Sequence, residues 1–266
     1  MSSIVLPYIN VLGVKINAIS MDSAIRSIAR WIKDRHKVYC NVCAVHTIME
    51  CQRNEMLRSI VNNSDLSTPD GMPLVWLAHH YGFREATRVY GPDLMLSVCE
   101  QSQRRGYRHF FYGGKPGVVD QLCENLKNRY PALEVAGSYS PPLRNVGYLE
   151  EPGVIRCIND ASADIVWVGL GTPKQDFWVA QHRKHLNAPV LVAVGAAFDF
   201  HAGIIRQAPK WVQESGLEWA FRLMQEPRRL AHRYLIYNPL FILLTFMQLS
   251  GLRKYGNTFE NNDVCV

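Results

Sequence analysis

The chain has no apolar run long enough to cross a bilayer. Its longest, PLFILLTFM at Pro239 to Met247, is about half of the roughly 20 residues that a spanning helix needs. A spanning helix is excluded there, but a helix lying in the membrane interface is not. The start, MSSIVLPYINVLGVKI, lacks a basic segment followed by a clean apolar core, so no secretory signal is expected. The seven cysteines, odd in number and irregular in spacing, exclude a disulfide framework and fit a reducing, cytoplasmic compartment. Cys40-x-x-Cys43, followed by His46, has no second such pair to complete a zinc site. In a strand the two thiols would face opposite ways, so both are expected to be buried apolar groups. His182 and His185 lack a third ligand and are expected on the surface.

Several nucleotide signatures are also missing. GLGTPK at Gly169 to Lys174 is not a full G-x-G-x-x-G, because Lys174 stands at the third glycine. No acid ends the next strand, APVLVAVG, to hold a ribose, which disfavours a dehydrogenase. The absence of G-x-x-x-x-G-K-[ST] disfavours an ATPase or GTPase. There is no Asp-x-Asp, a spacing often used to hold a nucleotide diphosphate through a metal, so a metal-independent site is expected. No RNP, zinc-finger or helix-turn-helix signature marks a nucleic-acid binder.

What is present is ordinary globular composition: 266 residues, 48% hydrophobic and 20% charged, with net charge +6. The charge is uneven. From His201 to Lys254 there are eight Lys or Arg and three acids, so this fifth of the chain carries most of the excess. That points to an anionic partner, either nucleic acid or a membrane surface. Upstream, short continuous apolar runs alternate with helix-length segments. Val38 to Val45, Arg108 to Tyr112, Asp164 to Val168 and Val190 to Val194 read as strands buried on both faces. Helices are expected over His46 to about Asn62, Met72 to about Tyr81, and Asp93 (as N-cap) to Arg104. Two more should run to about Arg129 and through His185. This order predicts an α/β fold, Rossmann-like, with a mostly parallel sheet flanked by helices. The pattern stops after Gly203. The predicted organisation is an α/β catalytic domain over 1–205 and a basic, amphipathic, helical C-terminal appendage over 206–266. The closing GNTFENNDVCV is polar and should be loose.

Two turns carry glycines, YGGKPG at 112–117 (Gly113, Gly114) and VGLGTPKQ at 168–175 (Gly169, Gly171). Such turns, at the carboxyl ends of strands, let backbone N–H groups approach a phosphate. Pro116 and Pro173 suit first helical turns, and Lys115 and Lys174 stand close by. The bland reading is that any tight strand-to-helix turn uses glycine. Polar residues also gather at turns after apolar runs: Asn41, Asp70 in TPDG, Arg88 in RVYGPD, Gln175 in TPKQ and Asp199 in AAFDFHAG. Asp70 reads either as a cap for the helix near Met72 or as a catalytic base. A cap would lower its pKa, so a basic Asp70 should face the crevice, its turn held by Pro69 and Gly71.

STPDGMPLVW, RVYGPDLM, FFYGGKPGV, GLGTPKQDFW and VGAAFDFHAGIIRQAPKWVQESGLEWAFRLMQEPRRLAHRY occur in this order over about residues 35–235. Together they closely resemble the bacterial WecG/TagA/CpsF glycosyltransferase family. The resemblance implies an inverting, metal-independent transferase with no cofactor. It would move N-acetylmannosamine, N-acetylmannosaminuronic acid or glucose from a UDP-sugar to a polyprenyl-diphosphate-linked sugar. The setting would be the inner face of the bacterial cytoplasmic membrane, in exopolysaccharide or other cell-surface polysaccharide synthesis. It further implies Asp70 as base, with Asn41, Arg88 and Gln175 as substrate contacts. Relatives often have TxN where this chain has Tyr39 in YCN, a hydroxyl on a larger side chain. Gly113, Gly114, Gly169, Gly171, Lys174 and Asp199 are the expected UDP contacts, Asp199 toward the uracil N3–H.

The C-terminal segment has a helical apolar stripe at Leu217, Ala220, Phe221 and Met224. By analogy with the family, Arg222, Arg229 and Arg233 reach the acceptor diphosphate while the segment sits on anionic lipid. The alternative for Phe241 to Met247 is packing into the core or a dimer interface; a homo-oligomer is compatible with the sequence. The rival functional classes are a nucleic-acid-binding protein and a non-catalytic nucleotide-binding protein, of which the second would not need Asp70.

Overall fold

The computed structural model describes residues 5–142 and 149–256. The polar closing stretch lies, from 257 on, outside the described residues. The elements in chain order are β1 (Tyr8–Val11), β2 (Val14–Asn17), α1 (Met21–Lys33), β3 (Val38–Cys43), α2 (Val45–Arg53), α3 (Glu55–Asn62), β4 (Leu66–Pro69) and α4 (Met72–His80). They continue with α5 (Gly91–Arg105), β5 (Arg108–Gly113), α6 (Val118–Arg129), β6 (Glu134–Tyr139), α7 (Pro152–Asp160), β7 (Ile165–Gly169), α8 (Lys174–His182) and β8 (Val190–Ala193). Four helices close the chain: α9 (Ala197–His201), α10 (Lys210–Glu214), α11 (Glu218–Gln225) and α12 (Pro227–Leu249).

Among the described residues, β4-β3-β8-β7-β5-β6 form a six-stranded sheet with every pair parallel. The α/β expectation holds. The central strands are buried on both faces, which is why they read as unbroken apolar runs. Strand alternation sends Val38, Cys40 and Val42 into one core cluster and Cys43 into another, so the two thiols of the C-x-x-C are buried on opposite faces.

The structure corrects several local expectations. The helix after β3 is two helices. Asn54 ends α2, and its side chain accepts from Leu57 N at 3.0 Å to cap α3. Asp93 is not an N-cap; α5 begins at Gly91 with Tyr90 before it, and Asp93 falls in the first turn. Pro116 precedes α6, whose N-cap is Gly117, and Pro173 is the N-cap of α8. His182 is fully buried rather than on the surface. Its Nε2 accepts from Glu150 N at 2.9 Å, so the proton sits on Nδ1, which donates to Trp178 O at 2.8 Å. The β1–β2 hairpin, α1, β4, β6 and α7 stand beyond the elements expected from sequence, although α1 has a clear helical pattern, with Ser20 as N-cap and Ile25, Ile28, Trp31 and Ile32 on its buried face.

The hairpin has a use. Its tight turn at Leu12 and Gly13 has positive φ at both residues, 54° and 81°, the geometry of two-residue hairpins. The turn seats the end of α12: Gln248 Nε2 donates to Asn10 O at 2.7 Å, and Leu12 N donates to Gln248 Oε1 at 2.8 Å. One stripe of α12, Leu230, Tyr237, Phe241 and Thr245, is buried. Between these residues Leu235, Ile242, Leu243 and Phe246 are exposed. Core packing and an open apolar face therefore coexist on one helix. The stripe read on α11 is no core face: that helix has no buried residue, and Leu217 and Met224 are exposed.

Candidate active site

A cavity of about 410 Å³ opens at the carboxyl ends of the sheet strands, where open α/β sheets bind ligands. Each strand end delivers a wall. Val42 comes from β3, Asp70 follows β4, Gly114 and Lys115 follow β5, Gly169 to Gln175 follow β7, and Val194 to Ala197 follow β8. The C-terminal helices close one side with Arg222, Arg229 and Arg233.

Asp70 lines the cavity and is not a helix cap. The N-cap of α4 is Gly71, and no side chain bonds the α4 amides. The Asp70 turn is fixed by its backbone instead: its N donates to Cys43 O at 2.9 Å, and its O accepts from Arg88 Nε at 2.5 Å. Its carboxylate Oδ1 accepts one bond, from Gly91 N at 3.1 Å. Burial pushes the carboxyl up to about 6; Arg88 opposes that push and Glu218 adds to it. A carboxyl with few donors in a desolvated wall is a better proton acceptor than a capping aspartate.

Arg88 sits behind that wall and does not line the cavity. Its guanidinium is held by Asp70 O, by Gln213 Oε1 at 3.2 Å and by the Glu218 carboxylate. It also lies over the Tyr90 ring at 3.9 Å.

The glycine turns reach the cavity, but their amides are partly committed. Gly114 N donates to Gly169 O and Gly171 N to the Gln175 side chain, both at 3.0 Å. Gly113 and Gly169 serve packing. A Cβ on Gly113 would lie 2.6 Å from Gly169 O, and one on Gly169 would lie 2.5 Å from the Phe198 ring. Lys115, Lys174 and Asp199 line the cavity here. Burial raises the Asp199 carboxyl, and Arg229 nearby opposes the rise.

Arg222 lies 5.4 Å from the Phe200 ring centroid and 3.8 Å from Glu226, which also pairs with Arg229. His46, at the start of α2, lines the same end of the cavity. Burial and the charges of Arg233 and Arg222 hold its pKa well below the ordinary histidine value, so it is neutral.

Of the residues expected from sequence, Asp70, Gln175, Arg222, Arg229 and Arg233 meet in one cavity with Gly114, Gly169, Gly171, Lys174 and Asp199. Gly113, Arg88, Asn41 and Tyr39 do not line it. Asn41 is fully buried mid-strand, on the face opposite Val42. Tyr39 lies at the far end of β3, its hydroxyl donated to Ile60 O at 2.8 Å. Gln175 is a brace for the Gly171 turn as well as a wall. His46, Thr172, Trp178 and Phe200 also line the cavity, beyond the residues expected from sequence. The sequence signal for His46 is its place one residue into a helix that follows a strand end.

A profile described as "Glycosyl transferase WecG/TagA/CpsF family" matches residues 9–255. A Bacillus spizizenii protein named N-acetylglucosaminyldiphosphoundecaprenol N-acetyl-beta-D-mannosaminyltransferase is 30% identical over 181 residues, 68% of each chain. A Bacillus subtilis protein of the same name is 28% identical over 171 residues, 64% of each chain. Among solved structures, a sulfate-associated arylmalonate decarboxylase mutant aligns at 14% identity and a TM-score of 0.26, covering 71% of this chain and 79% of its own. That likeness is too weak to carry an argument.

Proposed function

The chain belongs to the WecG/TagA/CpsF glycosyltransferase family, and on that premise we propose that it transfers N-acetylmannosamine from its UDP derivative to N-acetylglucosaminyl-diphosphoundecaprenol. The names of the Bacillus relatives support this donor and acceptor. The reaction proposed is inverting and metal-independent, in the synthesis of a cell-surface polysaccharide. The 1–205 part binds UDP-sugar, and the 206–266 part reaches the lipid-linked acceptor.

The observation that carries the proposal is Asp70. It is a carboxylate raised to about 6, standing in the cavity wall with one N–H donor. In the proposed step it takes the proton of the acceptor sugar hydroxyl as the oxygen attacks the anomeric carbon. General-base help of this kind is worth about 10²–10⁴-fold in rate. The bond from the anomeric carbon to the UDP oxygen breaks, and negative charge grows on the β-phosphate. Lys115, Lys174 and Arg229 line the cavity and supply the fixed positive charge that a metal would otherwise bring. Arg222 and Arg233, with neutral His46 in the first turn of α2 beside them, take the acceptor diphosphate.

The proposed location is the inner membrane face, held there by the exposed apolar side of α12 and its basic neighbours. Among the described residues no helix is long and apolar enough to cross a membrane.

The test is a panel of UDP-N-acetylmannosamine, UDP-N-acetylmannosaminuronic acid and UDP-glucose. Each is offered GlcNAc- or glucose-diphosphate-lipid, with EDTA present throughout. Transfer is expected for the first donor with the GlcNAc acceptor, and D70N should lose it while still binding UDP. Undiminished transfer by D70N would remove Asp70 as the base.

A further inference from the structure

Arg88 and Glu218 lie 130 residues apart in sequence and meet as an ion pair with both side chains largely enclosed, 16% and 12% exposed. Each guanidinium nitrogen donates one bond. Nε donates to the backbone oxygen of Asp70, Nη1 to Gln213 Oε1 and Nη2 to Glu218 Oε2. Gln213 cannot be flipped to present its amide nitrogen, because Nε2 already donates to Ala208 O at 2.7 Å. The second Glu218 oxygen accepts from the Tyr90 hydroxyl at 2.7 Å, and the Tyr90 ring lies against the guanidinium. Arg88, the cation that acts most on the Asp70 carboxyl, thus grips the Asp70 backbone, while the carboxylate itself takes the Gly91 N–H.

We propose that Glu218 is a positioning residue: it anchors the Arg88 guanidinium on the backbone side of Asp70 and so keeps it from pairing with the carboxylate. The inference rests on the reading of Asp70 as the base. A guanidinium released from Glu218 has the Asp70 carboxylate as its next anion. A paired Arg–carboxylate fork is among the strongest side-chain contacts, and such a neighbour lowers a carboxyl pKa by about 1–3 units. An aspartate so lowered is a weaker base. The groups acting on Asp70 are Arg88 and Arg222, which lower its pKa, and Glu218, which raises it together with burial. Cys43, Tyr90 and Tyr234 also face it; all three are pushed up by burial and stay neutral. Glu218 opens α11, and Gln213 lies in α10. The segment that carries the acceptor-side arginines therefore also sets the state of the base, and docking that segment completes both.

The test is kcat against pH for wild type, E218Q, Q213L, R88M and R88M/E218Q, with UDP affinity and melting temperature for each. E218Q should move the acid limb down by about one unit and cut plateau kcat several-fold, with UDP affinity unchanged. Q213L removes no charge and only one of the three bonds, so with Glu218 still holding the guanidinium it should move the limb in the same direction but by less than E218Q. If E218Q does not fold, E218D, which keeps the charge but draws the carboxylate back from Arg88, decides the matter in its place by the same shift of the limb. Made on R88M, E218Q should move the limb much less, because no guanidinium remains to swing. An unmoved limb in E218Q (or in E218D where E218Q does not fold), or an equal shift on R88M, overturns the positioning role. If D70N keeps wild-type turnover, the base reading itself has failed. If D70N is dead and the limb stays still, only the Glu218 inference falls.

Discussion

The Tyr237 hydroxyl donates to Glu50 Oε1 at 2.9 Å and accepts from Arg53 Nη1 at 3.0 Å, fastening α12 to α2. The same α2 carries His46 into the cavity, and the same α12 carries Arg229 and Arg233. Y237F keeps the ring in the core and removes both bonds. Two neutral-to-charged hydrogen bonds at a half-open site are worth about 1–2 kcal/mol. The expected outcome is a melting temperature lower by a few degrees and a higher KM for lipid acceptor, with the KM for UDP-sugar unchanged. Steady-state kinetics with each substrate varied in turn would check it. Equal changes in both KM values would show that the fastening does not favour the acceptor side.

The pH dependence of wild-type turnover follows from Asp70. Burial raises its carboxyl to about 6, and a base must be deprotonated to act. Turnover should therefore rise with pH and reach half its plateau near pH 6. An unperturbed aspartate, near 3.9, would leave activity flat down to about pH 5. The measurement is kcat/KM for the acceptor from pH 5 to 8, which reports the groups of the free enzyme.

Much of this site was legible in the sequence because it sits on punctuation. TPDG, RVYGPD and GLGTPKQ are turns between apolar runs, and turns at strand ends are where a parallel sheet presents its ligands. The sheet itself was legible for the same reason: β3, β5, β7 and β8 are continuous apolar segments. What was not legible depends on direction within an element. Asn41 stands one residue before Val42, and alternation sends the first into the core and the second into the cavity. Arg88 lies in a cavity-side motif, yet Glu218, far away in sequence, draws it behind the wall. The amides of Gly114 and Gly171 sit in phosphate-type turns but are spent on neighbouring backbone and side chain. The edge strand β6 (EVAGSY) is only partly buried and has no clean alternation, so nothing in its pattern marks it.

Asp176 follows the brace residue Gln175 and is fully buried; the Thr172 hydroxyl and its own backbone N–H lie near its carboxylate and oppose the effect of burial, but neither oxygen has a hydrogen bond of regular geometry. Burial pushes its carboxyl up to about 7. A folded-state pKa above the unfolded one makes stability fully present below about pH 4 and lost as pH rises through about 7. The rise corresponds to a loss on the order of 4 kcal/mol once both states are ionised, an upper bound if water enters. D176N removes that titration. It should raise the melting temperature of the protein at pH 8 more than at pH 5, read by calorimetry at the two pH values. A gain equal at both would show that Asp176 does not carry a buried proton.

The exposed side of α12 gives the last prediction. Ile242 and Phe246 are 68% and 63% exposed, while Phe241, the residue before Ile242, is 4% exposed. Ile242 and Phe246 are about one helical turn apart and so share a face. Arg228, Arg253 and Lys254 are exposed at the two ends of the same helix. Such a helix lies on an anionic surface by burying apolar side chains at the headgroup boundary and pairing cations with lipid. I242E/F246E places two charges on that face without touching the core. The double variant should keep its melting temperature and its turnover with a water-soluble, short-chain acceptor, yet lose cosedimentation with phosphatidylglycerol vesicles. F241A, a core truncation worth about 3–5 kcal/mol, should do the reverse for stability. If I242E/F246E instead still binds vesicles and converts from dimer to monomer in solution, the face is an interface between copies of the chain and not a membrane contact.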